Sequence, residues 1–328
     1  MASSVQGFIE LPESRYDLNT YTGRVRHCLE ISDPFMLLNT KNDIKASRDL
    51  IQQYKNGIIK TMSPELWKAK KILDSTLHPD TGEVVYLPFR MSSYVLSNLV
   101  VTVGMLTPNL GTFGTLFWQI TNQSLNVAIN TSNANKSHPL TTQQLITNYF
   151  LAVSASCSVA LGLNSIVPRL KNVSQNTKTI LGRLVPFAAV ISAGIVNVVL
   201  MRGEELRKGI SIFNKENNEE VGISKIAAKY AVGETALSRV INATPIMVIP
   251  PLILVKLQNG FLKGRGVGMT TLANVGLYLA TSFTVLPLAL AVFPQKRELS
   301  VKKLEERFNN LKDRNGNPIN YIQFNRGM

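Results

Sequence analysis

Between residues 93 and 293 the chain returns again and again to apolar segments close to the ~20 residues a helix needs to cross a bilayer. They run at about 93–118, 145–167, 184–201, 240–257 and 272–293. A soluble protein can bury one such helix, but a series of them predicts membrane insertion. The second contains Ala152, Ser154, Ala155, Ser156, Ser158 and Ala160, small side chains that let transmembrane backbones approach closely. The third has no charge after Arg183, and the fifth has none. The first is broken by Gly104, Pro108, Asn109, Gly111 and Gly114 and is the least secure. The fourth holds Pro245, Pro250 and Pro251, which would cost about 3 kcal/mol each in an ordinary helix interior. A membrane bundle tolerates such a break where neighbours bury it or where it lines a cavity. A kinked packing helix and a broken helix beside a transport path both fit.

Composition agrees with a chain shared between membrane and water. Apolar residues make up 45% and charged residues 17%, against about 25% charged in an average soluble domain. Mean hydropathy is only +0.08, so polar segments must accompany the spans. The net charge of +14 suits an anionic membrane surface or compartment. No block of basic residues, zinc-ligand spacing or aromatic RNA-binding signature accompanies it, which argues against nucleic acid as a partner. Cys28 and Cys157 do not make a disulfide framework. The N-terminal residues carry Glu10, Glu13 and Asp17 and match neither a secretory signal nor an Arg-rich transit peptide, so any organellar address is expected to be internal.

The polar stretch 118–135, WQITNQSLNVAINTSNAN, follows the first apolar segment. Asn122, Asn126 and Asn130 recur every four residues, and Asn133 follows three later. On a helix this spacing gathers the amides on one face, offering donors and acceptors without charge. Asn and Ser are also loop formers, so a turn-rich loop fits the same residues.

Residues 1–92 form a soluble helical part. Ile44, Ile51, Tyr54 and Ile58 mark one helical face, with Gly57 as its breaker. Ser63, Pro64 and Glu65 announce the start of a second helix, on which Leu66, Ala69 and Leu73 share a face. The turn at His78, Pro79, Asp80, Thr81 and Gly82 is followed by residues 83–86, a short strand by composition. His78 and Asp80 could handle a proton, though a His beside a Pro turn is more often structural. Residues 202–239 form the longest polar connection, ending in a helical stretch that Ser224 can cap. After the last span, Ser300 can cap an amphipathic helix with Val301, Leu304, Phe308 and Leu311 on one face.

These motifs resemble the sideroflexins, mitochondrial inner-membrane proteins once described as tricarboxylate carriers. The matching residues run nearly end to end: HPDTGE at 78–83, PFRMS at 88–92, WQITNQSLN at 118–126, GRLVPFAAV at 182–190 and NVVLMRGEELRKGI at 197–210. GISKIAA at 222–228, SRV at 238–240, PIMVIPP at 245–251, FPQ at 293–295 and the closing FNRGM continue the series. Among them, Arg202, Glu205 and Arg239 stand with the 78–82 turn as family-motif residues. The resemblance implies about five membrane helices, entry through the import machinery for inner-membrane proteins without a cleaved presequence, and amino-acid transport. It points to serine as the substrate class and to one-carbon metabolism as its use. The chain departs from the family's Asn-Tyr-Ala-Asn-Arg-Asn-like run at residues 130–135, where Thr131 replaces the aromatic and Ala134 the arginine.

The expected molecule is thus an all-α membrane protein with about five transmembrane helices. A soluble helical part covers 1–92, the membrane region 93–293, and a polar tail with a short amphipathic helix 294–328. With five crossings the two termini would lie on opposite sides. The leading function is transport of a small polar amino acid, with Asn122, Gln123, Asn126 and Asn130 supplying hydrogen bonds and Pro250–Pro251 freeing backbone groups near the path. Arg183, Arg202 and Arg239, at span ends, could each meet a substrate carboxylate or simply snorkel to the interface. An organic-anion carrier and a non-transporting membrane scaffold remain open. An enzyme is not expected: no nucleophile–base pair, phosphate loop, cofactor motif or metal-spaced cluster is present, and KGRGVG at 263–268 lacks the context of a nucleotide loop.

Overall fold

The structure is a computed structural model that describes all residues except 1, 3, 4, 6, 32, 79, 80, 108, 109, 134–140, 218, 309, 310, 312–317, 327 and 328. The N-terminal part holds α1 (Tyr21–Ile31), α2 (Lys41–Lys55) and α3 (Pro64–Thr76). Thr40 and Asp43 form a reciprocal capping box on α2, and the Ser63 hydroxyl accepts from the Leu66 N–H at the start of α3. Ile44, Ile51 and Tyr54 of α2 pack with Leu66, Ala69 and Leu73 of α3 as one core. Each fully buried aliphatic side chain there stabilises the pair by about 1.5–3 kcal/mol. Ile58 lies past the end of α2 and is exposed, while Gly57 ends the helix at φ +78°. In place of a strand at 83–86 there is one antiparallel bridge, Leu77 to Val84.

The membrane region begins with α4 (Tyr94–Met105) and α5 (Thr112–Asn133). It continues through α6 (Thr142–Ile166), α7 (Gln175–Met201) and the one-and-a-half-turn α8 (Gly203–Lys208). After a hairpin come α9 (Lys225–Met247), α10 (Ile249–Asn259), α11 (Val267–Thr284) and α12 (Leu286–Leu290). Four helical stretches are long and apolar enough to cross a bilayer: Thr142–Arg169, Gln175–Met201, Lys225–Asn259 and Gly268–Leu290. They correspond to the second to fifth apolar segments, and the protein is a multi-pass helical membrane protein. Phe150, Leu151, Val199, Leu252 and Leu272 project outward from these helices, an apolar surface that water would not tolerate but lipid covers.

The first apolar segment differs from expectation. It does not make one span over 93–118: α4 ends at Met105, and α5 starts afresh at Thr112 and carries residues 118–133 as helix. Gly104 lies in the last turn of α4, Gly111 just before α5 and Gly114 in its first turn, while Pro108 and Asn109 lie outside the described residues. The asparagines sit on a helix and not in a loop; Asn135 lies outside the described residues. Gly104 is needed where α4 meets α5, since a Cβ there would sit 2.3 Å from the Trp118 ring.

The polar tail differs too. Val301, Leu304 and Phe308 are buried as expected, but Val301 and Phe308 sit on the short 3₁₀ turns Val301–Lys303 and Glu306–Phe308, and Leu304 between them, rather than on an α-helix. They connect two strands of a four-stranded antiparallel sheet in the order β2-β1-β4-β3, built from β1 (Ile210–Asn214), β2 (Glu220–Ser224), β3 (Lys296–Ser300) and β4 (Tyr321–Asn325). A spacing of three and four serves one-sided burial on either backbone, and the ladder from Lys296↔Asn325 to Ser300↔Tyr321 holds the chain in strands. Ser300 makes no side-chain cap. Instead the Glu305 carboxylate caps α9, accepting from the Ser224 hydroxyl at 2.6 Å and from the N–H groups of Lys225 at 2.6 Å and Ile226 at 3.1 Å.

The sheet fixes the layout of the bundle. Phe213 pairs with Gln323, so the end of α7, the start of α9 and the exit of α12 lie together. The Tyr21 hydroxyl donates to the Leu288 carbonyl at 2.9 Å and Arg24 Nε to the Ala291 carbonyl at 2.8 Å, which brings the N-terminal part to the same end. Asn133 Nδ2 donates to the Phe89 carbonyl at 2.8 Å, placing the exit of α5 beside the entry of α4. Helices α4–α5, α6–α7 and α9–α12 are thus three hairpins entered from one side, and the two terminal regions share that side instead of being separated by an odd number of crossings.

Two outcomes follow. Burial opposes ionisation of Glu305, but the hydrogen bonds from Ser224, Ile226 and Lys225 outweigh it and hold the carboxyl below its ordinary 4.5. The cap's contribution is then complete above that pH and is lost as pH falls through the lower native value, so Glu305→Gln should flatten the acid limb of the unfolding curve. In a Cys28→Ser, Cys157→Ser background and vesicles of uniform orientation, single cysteines at Phe8 and Lys302 should react with an impermeant maleimide from one side and a cysteine at Lys171 from the other. Reaction of the first two from opposite sides would refute the three-hairpin layout.

Candidate functional site

On α5, Thr115, Gln119, Asn122, Asn126, Asn130 and Asn133 follow one another at steps of four and three, so an ideal helix carries all six on one narrow face. Thr115 to Asn133 covers about 27 Å at 1.5 Å per residue, nearly the ~30 Å of a bilayer's hydrocarbon core. Thr115, Gln119, Asn122 and the adjoining Gln123 are buried, Asn126 is half-buried, and Asn130 is exposed at the end of the helix. The Ser156 hydroxyl on α6 donates to Gln119 Oε1 at 2.6 Å, with both side chains buried. Asn122 Nδ2 is buried with no hydrogen-bond partner, a state that costs about 1–3 kcal/mol inside a protein. Such an atom on a polar face is a natural contact for a passing solute or water.

The N-terminal end of this face opens into a cavity of about 290 Å³. Its polar lining is Thr107, Thr115, Gln119, Asn164, Thr179 and Arg183, with Trp118 as an apolar wall. Met105, Leu106, Thr107 and Leu110, from the turn between α4 and α5, close one side. With 12 residues α4 is about 18 Å long and too short to cross alone, and its turn packs beside the end of α6 and the start of α7. Arg183, the one charged residue among the described lining residues, is half-buried and donates from Nη2 to Gln258 Oε1 at 2.6 Å. Gln258 lies in the last turn of α10, so this bond ties α7 to α10.

The other expected residues divide into three groups. Pro250 and Pro251 are buried in the first turn of α10, where the fourth span breaks at Val248, and neither lines the cavity. Met247, just before the break, packs with Val101 and Met105 against Trp118, so the break adjoins the cavity wall. In the turn at 78–82, Pro79 and Asp80 lie outside the described residues. His78 is buried, its N–H donates to Glu83 O at 2.8 Å, and its carbonyl accepts from the Gly82 N–H at 3.1 Å. Gly82 adopts φ +67° and its carbonyl accepts from Arg48, while the Thr81 N–H donates to His78 Nδ1 at 3.4 Å. These bonds serve the turn itself.

Arg202 and Glu205 are paired with each other, and Arg202 also donates to the Thr235 hydroxyl at 2.8 Å and to the Arg326 carbonyl. Arg326 in turn pairs with Glu234, which also holds Arg297, and donates to the Pro294 carbonyl. Burial lowers the Arg326 pKa, and burial followed by repulsion from Arg326 lowers that of Arg297. This cluster lies at the terminal-region end of the bundle, far along α7 from Arg183. Arg239 is exposed on α9 and packs beside Gly194 of α7. Among the described residues no group of acidic, His or Cys side chains could hold a metal ion.

Thr115, Gln119, Asn164 and Gln258 were not singled out from sequence, although the first two extend the asparagine periodicity by two steps. Asn164 and Gln258 carry no such signal, because they meet the site only across helix packing. Gln119→Leu should leave Ser156 unsatisfied and lower stability by about 1–3 kcal/mol, and adding Ser156→Ala should restore part of it. Chemical unfolding of the purified protein in detergent would measure both.

The profile of the Sideroflexins matches residues 10–328. A sideroflexin of Saccharomyces cerevisiae is 66% identical over 328 residues, covering 100% of both chains. Sideroflexin-5 of Homo sapiens is 38% identical over 298 residues, covering 90% of this chain and 87% of its own. Sideroflexin-1 of Sus scrofa is 38% identical over 331 residues, covering 100% of both. No solved structure matches.

Proposed function

The chain belongs to the sideroflexin family, and on that premise we propose that it is a mitochondrial inner-membrane transporter of a small polar amino acid, serine first, supplying one-carbon metabolism. The observation that carries this reading is the uncharged polar face of α5, which runs nearly the thickness of a bilayer and starts in a cavity. Amides and hydroxyls replace part of a solute's hydration without fixing a net charge in the membrane, where a charge is costly. A zwitterion needs a cationic contact for its carboxylate and carbonyl oxygens for its ammonium, and Arg183 with the surrounding amides and hydroxyls provides both. A tricarboxylate would bring three negative charges to a cavity with one guanidinium among its described residues, which disfavours an organic-anion carrier.

The test is uptake of labelled serine, with citrate in parallel, into liposomes holding the purified protein. Saturable serine uptake is expected, falling at least tenfold in Asn122→Leu and several-fold in Asn126→Ala, with thermal unfolding showing both variants folded. Citrate uptake without serine uptake would overturn the reading.

A further inference from the structure

We propose that Arg183 is the carboxylate anchor of the cavity and that the bound substrate takes it from Gln258, releasing the tie between α7 and α10. The inference rests on the transport reading above and names the contact on which that site turns. The guanidinium is half-buried and faces a cavity without an acidic residue among its described lining. Its side-chain partner is a neutral amide, Gln258 Oε1, at 2.6 Å. One amide oxygen meets one arm of the fork and leaves the charge uncompensated, whereas a carboxylate accepts from two N–H groups in parallel and neutralises it. That difference favours the exchange.

The cavity, at about 290 Å³, stands at the small end of the roughly 300–1,000 Å³ typical of ligand pockets, which suits a molecule of a few heavy atoms. Gln119, Asn164, Thr115 and Thr179 supply the acceptors and donors for its other groups. The substrate class is thus a small monocarboxylate with a polar side chain or amine.

Gln258 is placed to register that event. It sits in the last turn of α10, whose first turn contains Pro250 and Pro251 after the break at Val248. Pro250 and Pro251 lack the N–H groups that would bond back across the break, so α10 is coupled to α9 more weakly than an unbroken helix would be. A side-chain bond from the end of α10 to α7 therefore contributes to holding α10 in place, and its loss on substrate binding lets α10 move on its hinge.

Serine uptake by the reconstituted full-length protein tests this, with serinol, which has the same amine and hydroxyl but no carboxylate, as competitor. Wild-type uptake should resist a tenfold excess of serinol. Gln258→Glu supplies a permanent internal carboxylate and should raise the KM for serine at least tenfold, while Gln258→Leu removes the competitor and should lower it. Arg183→Gln should abolish saturable serine uptake, and Arg183→Lys should restore part of it. An unchanged KM in folded Gln258→Glu, or serinol competing as well as serine, overturns the inference while leaving transport intact. If the wild type takes up no serine, the transport reading fails. The anchor is then decided by unfolding-temperature shifts with serine, glycine and lactate. Shifts that vanish in Arg183→Gln would sustain it, and none in the wild type would overturn it.

Discussion

The return of residues 296–326 onto the ends of α7 and α9 is the contact on which the rest of the arrangement depends. Arg202, anchored to Glu205, reaches the Arg326 carbonyl, and Arg326 reaches Glu234 on α9. Each of these charges has an opposite partner and further hydrogen bonds, the condition under which partly buried ions are tolerated. Removing one would leave its partner uncompensated in a crowded interface. Together with the β1–β4 pairing, the cluster forces the chain leaving α12 back to where α7 ended. The number of crossings between the end of α7 and that point must then be even.

The position of the α5 exit decides how its polar face can be used. Because α5 leaves beside the start of α4, its asparagine end lies toward the terminal regions and its Thr115–Gln119 end lies at the cavity on the opposite half. The face therefore leads from one side of the bundle toward the other. Buried polar atoms without partners recur in the same bundle, at Asn122 Nδ2, Asn242 Oδ1, Asn274 Oδ1 and Ser282 Oγ. In a packed core built for stability alone such atoms would be selected against, since each forfeits a hydrogen bond that water once supplied. Their presence fits the proposed transport, in which a bundle rearranges its polar contacts as it works.

Two helix starts were legible in the sequence as local signals, whereas the cap expected at Ser300 did not form. Ser63-Pro64-Glu65 marked the start of α3 and Ser224 the start of α9, because a cap is made by residues three positions apart. The sheet was not legible. Its strands are five residues long, and β1 pairs with β4 more than a hundred residues away, so no periodicity announces the pairing. Residues 301–311 show why a period can mislead: Val301, Leu304 and Phe308 are one-sided, as a helix would be, yet they line the underside of a sheet. The candidate site divides in the same way. The α5 face was visible as spacing, whereas Ser156 and Asn164 reach it from α6 and Gln258 reaches Arg183 from α10.

The shortness of α4 gives the first apolar segment its meaning. A complete span there would have needed about 20 residues without glycine or proline breaks, and it would have sealed this part of the bundle. Ending at Met105 instead, the helix hands over to a turn that packs beside the end of α6 and the start of α7. Gly104 lets the turn close by allowing Trp118 against the backbone of α4, and the residues that follow become the cavity wall. Leu106, Thr107 and Leu110, which lie among the breakers that make this segment the weakest candidate for a span, thus line the cavity. A segment that fails as a membrane helix succeeds as the floor of a site.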